Sequence, residues 1–586
     1  MRRPLPDPAR PRVASSDEIS SDDSSSRCTS VKELEADIGG AWTSLDLLKL
    51  TVAIVGAQLS WTVQTSYGTP YLQELGLSKT GTSLVWFAGP LGGLIVQPII
   101  GALSDTSPSR YRRRQFIVAA SAVMVISTTV VAFATALAPG LVVAFVGREA
   151  RFEENAKALS IVMAIIGVYV LVAAFNALQA SVRALVLDLA PAREQSSADA
   201  YLARNVNLAN VCAYLAGSLD LDKTPLLRWI GAGQFRKLAM LSCAALLVTV
   251  TVTCSTQHEL ERPELRTAAG VWSKILGVVR NLSSSIRTLP RPVKKVCLVQ
   301  FAQWSAAFPF MFYTTTYVAE AVSAAVAPGS PAPSADTATR AGSFALLLYA
   351  IVALAAGILL PHLPTLATTF PSLARRTGRV GRRVLCALSM RNLWTLSLAW
   401  HALCMTATFW AGSVRETTWV VALAGLSWAV TCWVPYALVG EAIFEAEAKD
   451  ASAELHAVAD SAALRASLLG VDVRGRAAAA ADEAGGTVLG VHNLAIVLPQ
   501  FVVAALAALI FRLSSSSASA PDERDSGTVW VLRLGGLASA VGAVVSRWLE
   551  EPMSERQYRA RLSRIGDGRR GEVADEEAPA AGCRGG

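Results

Sequence analysis

WTVQTSYGTPYLQELGLSKTGTSLVWFAGPLGGLIVQPIIGALSDTSPSRYRRRQFI, residues 61–117, decides the fold. An apolar segment studded with Gly and Pro ends in Ser104-Asp105, a short loop dense in arginine follows, and a second apolar run begins at Phe116. Two apolar segments joined by a basic loop read as a helical hairpin whose loop faces the cytoplasm. Glycine and proline within the helices predict backbone that bends around a cavity. A chain built this way moves something across a bilayer.

The rest of the sequence agrees. Of its 586 residues, 52% are hydrophobic and 17% charged, and the mean hydropathy is +0.41. Soluble domains carry about a quarter charged residues. Apolar runs, each long enough to cross ~30 Å of hydrocarbon as a helix, recur at roughly 47–68, 82–104, 115–137, 158–187, 202–219, 235–254, 295–319, 342–361, 393–412, 417–439, 487–511 and 529–548. The runs are continuous, whereas the strands of a membrane barrel alternate. The fold class expected is therefore all-α integral membrane.

The net charge of +8 sits largely in loops between apolar runs, which points to topology and excludes a nucleic-acid partner. Basic loops hold Arg110, Arg112, Arg113 and Arg114; Arg262, Arg266, Lys274, Arg280, Arg287, Arg291 and Lys294; and Arg375, Arg376, Arg379, Arg382, Arg383 and Arg391. Opposite loops offset their cations, as Arg148, Arg151 and Lys157 are offset by Glu149, Glu153 and Glu154. Both termini are expected in the cytoplasm, in a multi-pass protein of the plasma membrane.

The nine cysteines are scattered, and Cys212, Cys243, Cys254, Cys404 and Cys432 lie in apolar runs. They read as small hydrophobes, with no metal-ligand spacing. No nucleophile–base pair or phosphate-binding loop rises above background, so neither an enzyme nor a cofactor is expected. The first apolar run starts near Leu47, so no cleavable signal peptide is expected.

Two six-helix halves are expected. Residues 1–43 form a Ser/Asp-rich tail, 44–254 the first half, 255–294 a central loop, 295–550 the second half with an insertion at 440–486, and 551–586 a C-terminal tail. RYRRR at 110–114 and RRTGRVGRR at 375–383 occupy equivalent places in the two halves. Repeated halves of this kind point to the major facilitator architecture.

Ionisable groups at membrane depth mark functional positions. Arg183 lies in the fourth run, where Asn176, Gln179 and Arg183 share one helix face. Either the arginine snorkels to the interface, or this face is wet and binds a polar solute. Gln58, Trp61 and Gln64 repeat every third residue in the first run, which suits a ligand site of amides and an aromatic wall. Interfacial anchoring of Trp61 and helix–helix bonding of the glutamines are the alternatives. Asp188, Glu320 and Glu441 sit near span ends, where they serve coupling or gating or are simply solvated. Asp105 beside Arg112, Arg113 and Arg114 suggests a charge cluster that locks two helices together.

Several motifs resemble the sucrose/proton symporter family of the major facilitator superfamily (glycoside-pentoside-hexuronide type). They are TPYLQELGL at 69–77, GPLGGLIVQPIIGALSD at 89–105 with RYRRRQFI at 110–117, NALQASVRALVLD at 176–188, FPFMFYTTTYVAE at 308–320 and AVTCWVPYALVGE at 429–441. FPF with YTTTYVAE most resembles the fungal α-glucoside (sucrose and maltose) permeases. The resemblance implies a twelve-helix fold, import of a disaccharide with protons, and an essential role for Arg183. It also implies an aspartate about three turns before that arginine, where this chain has Val172, and seventh-helix aspartates where it has Thr314 and Thr316. Valine cannot bind a proton. Coupling through another acid, uniport, and a non-transporting sugar sensor all stay open, and oligomeric state is not legible.

Overall fold

The computed structural model describes residues 42–105, 107, 109–145, 147, 151–190, 195–259, 289–326, 333–362, 389–442, 445, 473–516, 527–551, 556 and 560. Most of both tails, of the central loop, of the 375–383 loop region and of the 440–486 insertion lies outside these residues.

Each expected span meets a helix. We label them α1 (Ala53–Glu74), α2 (the run from Lys79 to Asp105), α3 (Arg112–Ala132), α4 (Phe152–Leu189), α5 (Gln195–Ser218), α6 (Gln234–Thr256), α7 (Arg291–Ala324), α8 (Ala335–Leu359), α9 (Met390–Ala407), α10 (Val414–Thr431, continued to Ala442), α11 (Val473–Ser516) and α12 (Gly527–Val545). No strand occurs among the described residues. The last part of the 440–486 segment, from Val473, is the start of α11.

Nine of these helices are long and apolar enough to span a membrane; α1, α5 and α9 fall short. Their polarity has a use inside the bundle. In α1, Thr62 and Gln58 both bond Asn210 of α5, at 2.7 and 3.1 Å. Such interhelical bonds substitute for the hydrophobic drive that lipid does not supply. Small residues do the same by close approach: a Cβ added to Gly56 of α1 would lie 2.4 Å from the Leu246 backbone of α6, and one on Gly425 of α10 would lie 2.3 Å from the Tyr349 carbonyl of α8.

Helix pairing shows the repeat. α1 packs on α5 and α6, α3 on α4 and α6, and α2 on α4; the same pairs recur six helices later as α7 on α11 and α12, α9 on α10 and α12, and α8 on α10. The halves meet through α5 on α8 and α2 on α11, which exchange under that symmetry, and through α1 on α7. This is the twelve-helix major facilitator architecture.

Two irregularities position the site. α1, α7 and α11 contain Pro70, Pro309 and Pro499, each of which frees a backbone carbonyl. α2 opens into a π-helical turn at Gly92–Val96 before resuming at Gln97, a feature that often marks function.

Candidate functional site

Near the midpoint of α4, Val172 is wholly buried at 0% exposure. Its carbonyl accepts a 2.9 Å bond from Asn176 Nδ2, so the Asn176 Oδ1 is turned to α2 and accepts Gln97 Nε2 at 2.8 Å. Gln97 also reaches Gln179 Oε1 at 3.4 Å. The π-turn makes room: a Cβ on Gly92 would stand 2.5 Å from Asn176 Nδ2 and 3.3 Å from Val172 Cγ1. The expected shared face of α4 therefore splits. Asn176 and Gln179 join an amide ladder with Gln97, which sequence reading missed, and Arg183 stands apart.

Arg183 is exposed. Among the described residues it makes no hydrogen bond or ion pair. Its field reaches Asp199 of α5 and Tyr436 on the continuation of α10, in the other half. Glu320 lies at the opposite end of the bundle, where it pairs with Lys79 at 2.6 Å and accepts from Thr528 of α12 at 2.8 Å. Glu441 is half-buried near the other end of α10.

The stripe on α1 is internally engaged. Gln58 bonds α5 as described, Trp61 stacks on Phe175 of α4 with centroids 4.9 Å apart and planes at 7°, and Gln64 is buried against Gly68. Trp61 thus does face α4, as part of an aromatic pair that leaves it partly exposed.

Across the interface, α7 carries groups the sequence reading passed over. Both amide atoms of Gln300 and the Trp304 indole N–H are buried with no hydrogen-bond partner among the described residues. Trp304 packs against the cluster that Trp86 of α2 forms with Phe308 and Phe312. Leaving such a buried group unpaired costs its desolvation.

Among the described residues, Asp188 and Glu259 engage the arginines of the basic loop. Arg113 Nε lies 2.8 Å and Arg112 Nη2 3.5 Å from Asp188 Oδ2. Glu259 receives the Arg113 backbone N–H at 2.8 Å and the Arg114 N–H at 3.0 Å, capping α3 at its positive end. Ser104 takes Arg112 Nε through its carbonyl at 3.2 Å, while the Asp105 side chain lies outside the described residues. The partnership with Asp188 spans 75 residues and that with Glu259 spans 146, beyond the reach of local pattern.

Bonds between the halves gather at the end opposite this loop. Besides Lys79–Glu320, Arg340 of α8 holds Asp220 at 2.7 Å, Asp336 accepts the Gln234 N–H at 3.3 Å, Thr69 donates to the Phe312 carbonyl at 2.9 Å, and Trp86 stacks on Phe312 at 4.3 Å. The Arg340 hydrogen bond holds the Asp220 carboxyl below its usual range, so this pair persists above that range and is lost only as pH falls through the lowered value.

No protein-family model matches the chain. It is 31% identical over 563 residues to the general alpha-glucoside permease of Schizosaccharomyces pombe, covering 86% of this chain and 94% of that one. It is 30% identical over 286 residues to a sucrose transport protein of Arabidopsis thaliana, covering 46% of this chain and 54% of that one. Among solved structures, the D-xylose-proton symporter aligns with a TM-score of 0.50 at 13% identity, over 88% of this chain and 99% of that one, a likeness of fold alone. With a relative matched along nearly its whole length and the twelve-helix architecture in place, the chain belongs to the α-glucoside and sucrose permease family of the major facilitator superfamily.

Proposed function

We propose that this protein imports an α-glucoside disaccharide, sucrose or maltose, together with protons, by alternating access across the plasma membrane, with both termini in the cytoplasm. The observation that carries this reading is the set of polar groups that the two halves hold within the bundle. One half offers the Gln97–Asn176–Gln179 ladder and Arg183, which bonds no described residue; the other offers the Gln300 amide and Trp304 indole, which have no hydrogen-bond partner among the described residues. Amide groups beside aromatic walls suit a sugar's hydroxyls and its apolar faces.

With the basic loop assigned to the cytoplasm, the bonds between Lys79 and Glu320 and between Asp220 and Arg340 close the outer end, and Arg183 opens inward. Uptake of labelled sucrose and maltose into cells lacking other carriers tests the reading, at acid and neutral pH and with an uncoupler. Uptake that rises in acid and collapses with uncoupler is the result expected. Uptake indifferent to both would leave a uniporter, and none at all would leave a sensor, the two alternatives that Val172 keeps open.

The outer closure gives a second test. Each of these ion pairs ties the two halves together at this end, so Asp220→Asn combined with Glu320→Gln should lower the closed-to-open ratio. Labelling of Thr69→Cys by an impermeant maleimide should speed up accordingly, above the background of native cysteines. An unchanged rate would show that these pairs contribute nothing to the closure.

A further inference from the structure

Val172 stands where the resemblance implies a proton-carrying carboxylate, and the acids at Asp188 and Glu320 are engaged with cations at the bundle ends. Histidine is the side chain whose charge changes near neutral pH. Among the side chains described, one histidine lies buried deep within the twelve-helix bundle. His401 of α9 is 8% exposed, with Nδ1 2.9 Å from Ser539 Oγ of α12 and its ring edge-on to Phe310 of α7, centroids 5.9 Å apart. It lines a narrow cavity within the second half, together with Gln303, Tyr349, Ser427, Trp428 and Thr431.

We propose that His401 is the proton-binding group of this carrier; the inference rests on the transport reading above. The chemistry of its partner suits the task. A serine hydroxyl donates to the neutral Nδ1 and accepts from the protonated one, so the bond to Ser539 survives in both states of the ring. A proton from water binds a ring nitrogen of the neutral imidazole and leaves from the resulting imidazolium to water on the other side, with no bond otherwise changed.

The surroundings make that proton conditional. Around the ring, α8 contributes the ionisable Tyr349, α9 its own Cys404 one turn away, and α7 and α10 no charged side chain to the cavity lining. On α12 the charged neighbour is Arg533, six residues before Ser539, bonded to Thr408 and lying 3.6 Å over the Phe409 ring. No carboxylate lines the cavity, so an imidazolium there is costly until water or a hydroxylated substrate solvates it. That cost ties protonation to occupancy of the carrier.

Reconstituted vesicles under an imposed membrane potential test the proposal with labelled sucrose or maltose. One proton carried with a neutral sugar supports accumulation of about 50-fold for each 100 mV. His401→Gln keeps a polar side chain and cannot take up a proton at these pH values. It should reduce accumulation to about one-fold while sugar exchange at equal concentrations continues. Wild-type accumulation in His401→Gln overturns the proposal, and so does a wild-type carrier that exchanges sugar but never accumulates it. Absence of exchange by the wild type overturns the transport reading itself. Where His401→Gln fails to insert, Ser539→Ala decides: removing the hydroxyl should shift the pH profile of uptake, and an unmoved profile counts against His401.

Discussion

Arg183→Ala should abolish sugar uptake while leaving the protein in the membrane at normal abundance. The side chain is exposed and bonds no described residue, so its removal leaves no buried group unpaired. Exposed positions of this kind usually change stability by no more than about 0.5 kcal/mol. Its value lies in what it meets during the cycle. A charge-assisted bond to a sugar hydroxyl is worth about 1.5–3 kcal/mol, or roughly 10- to 150-fold in binding. If the cation also meets Tyr436 of α10 as the halves close, its loss costs the conformational step as well. The check is initial uptake rate beside surface abundance. Arg183→Lys separates the two contributions, because lysine keeps the charge and loses the planar fork. Normal uptake by Arg183→Ala would sink the site assignment.

Much of the fold was legible because a bilayer imposes a length and a polarity on every span. The basic loops and the break between the sixth and seventh spans exposed the repeat that helix pairing then showed. The site was legible only where spacing along one helix sufficed. Asn176 and Gln179 share a face by periodicity, but that their partner is Gln97, about 80 residues earlier, depends on how α2 leans on α4. The same limit hid Asp188 and Glu259 as partners of the arginines: Asp105 is near in sequence, whereas these two come near through packing. Orphaned groups such as Gln300 carry no sequence signal, since a satisfied and an unsatisfied glutamine are the same letter.

Gly92→Ala should lower uptake about as far as Asn176→Ala does, and the two together should be no worse than either. The reasoning starts from space. The added methyl would fall 2.5 Å from Asn176 Nδ2, too close for any real contact. An amide at the end of a free side chain could swing away, but this one is held at both ends, by the Val172 carbonyl at 2.9 Å and by Gln97 at 2.8 Å. Relief therefore breaks the ladder or forces the π-turn to rewind into α-helix, which rotates Gln97 away from α4. Either way Asn176 loses Gln97. Leaving buried amides unpaired costs about 1–3 kcal/mol, so uptake should fall by roughly 5- to 150-fold. Asn176→Ala removes the obstacle and the ladder at once, so adding Gly92→Ala on top should cost little, the non-additivity expected of residues in contact. Losses that simply multiply would mean that Gly92 serves the carrier through the α2 backbone alone, independently of the amide ladder.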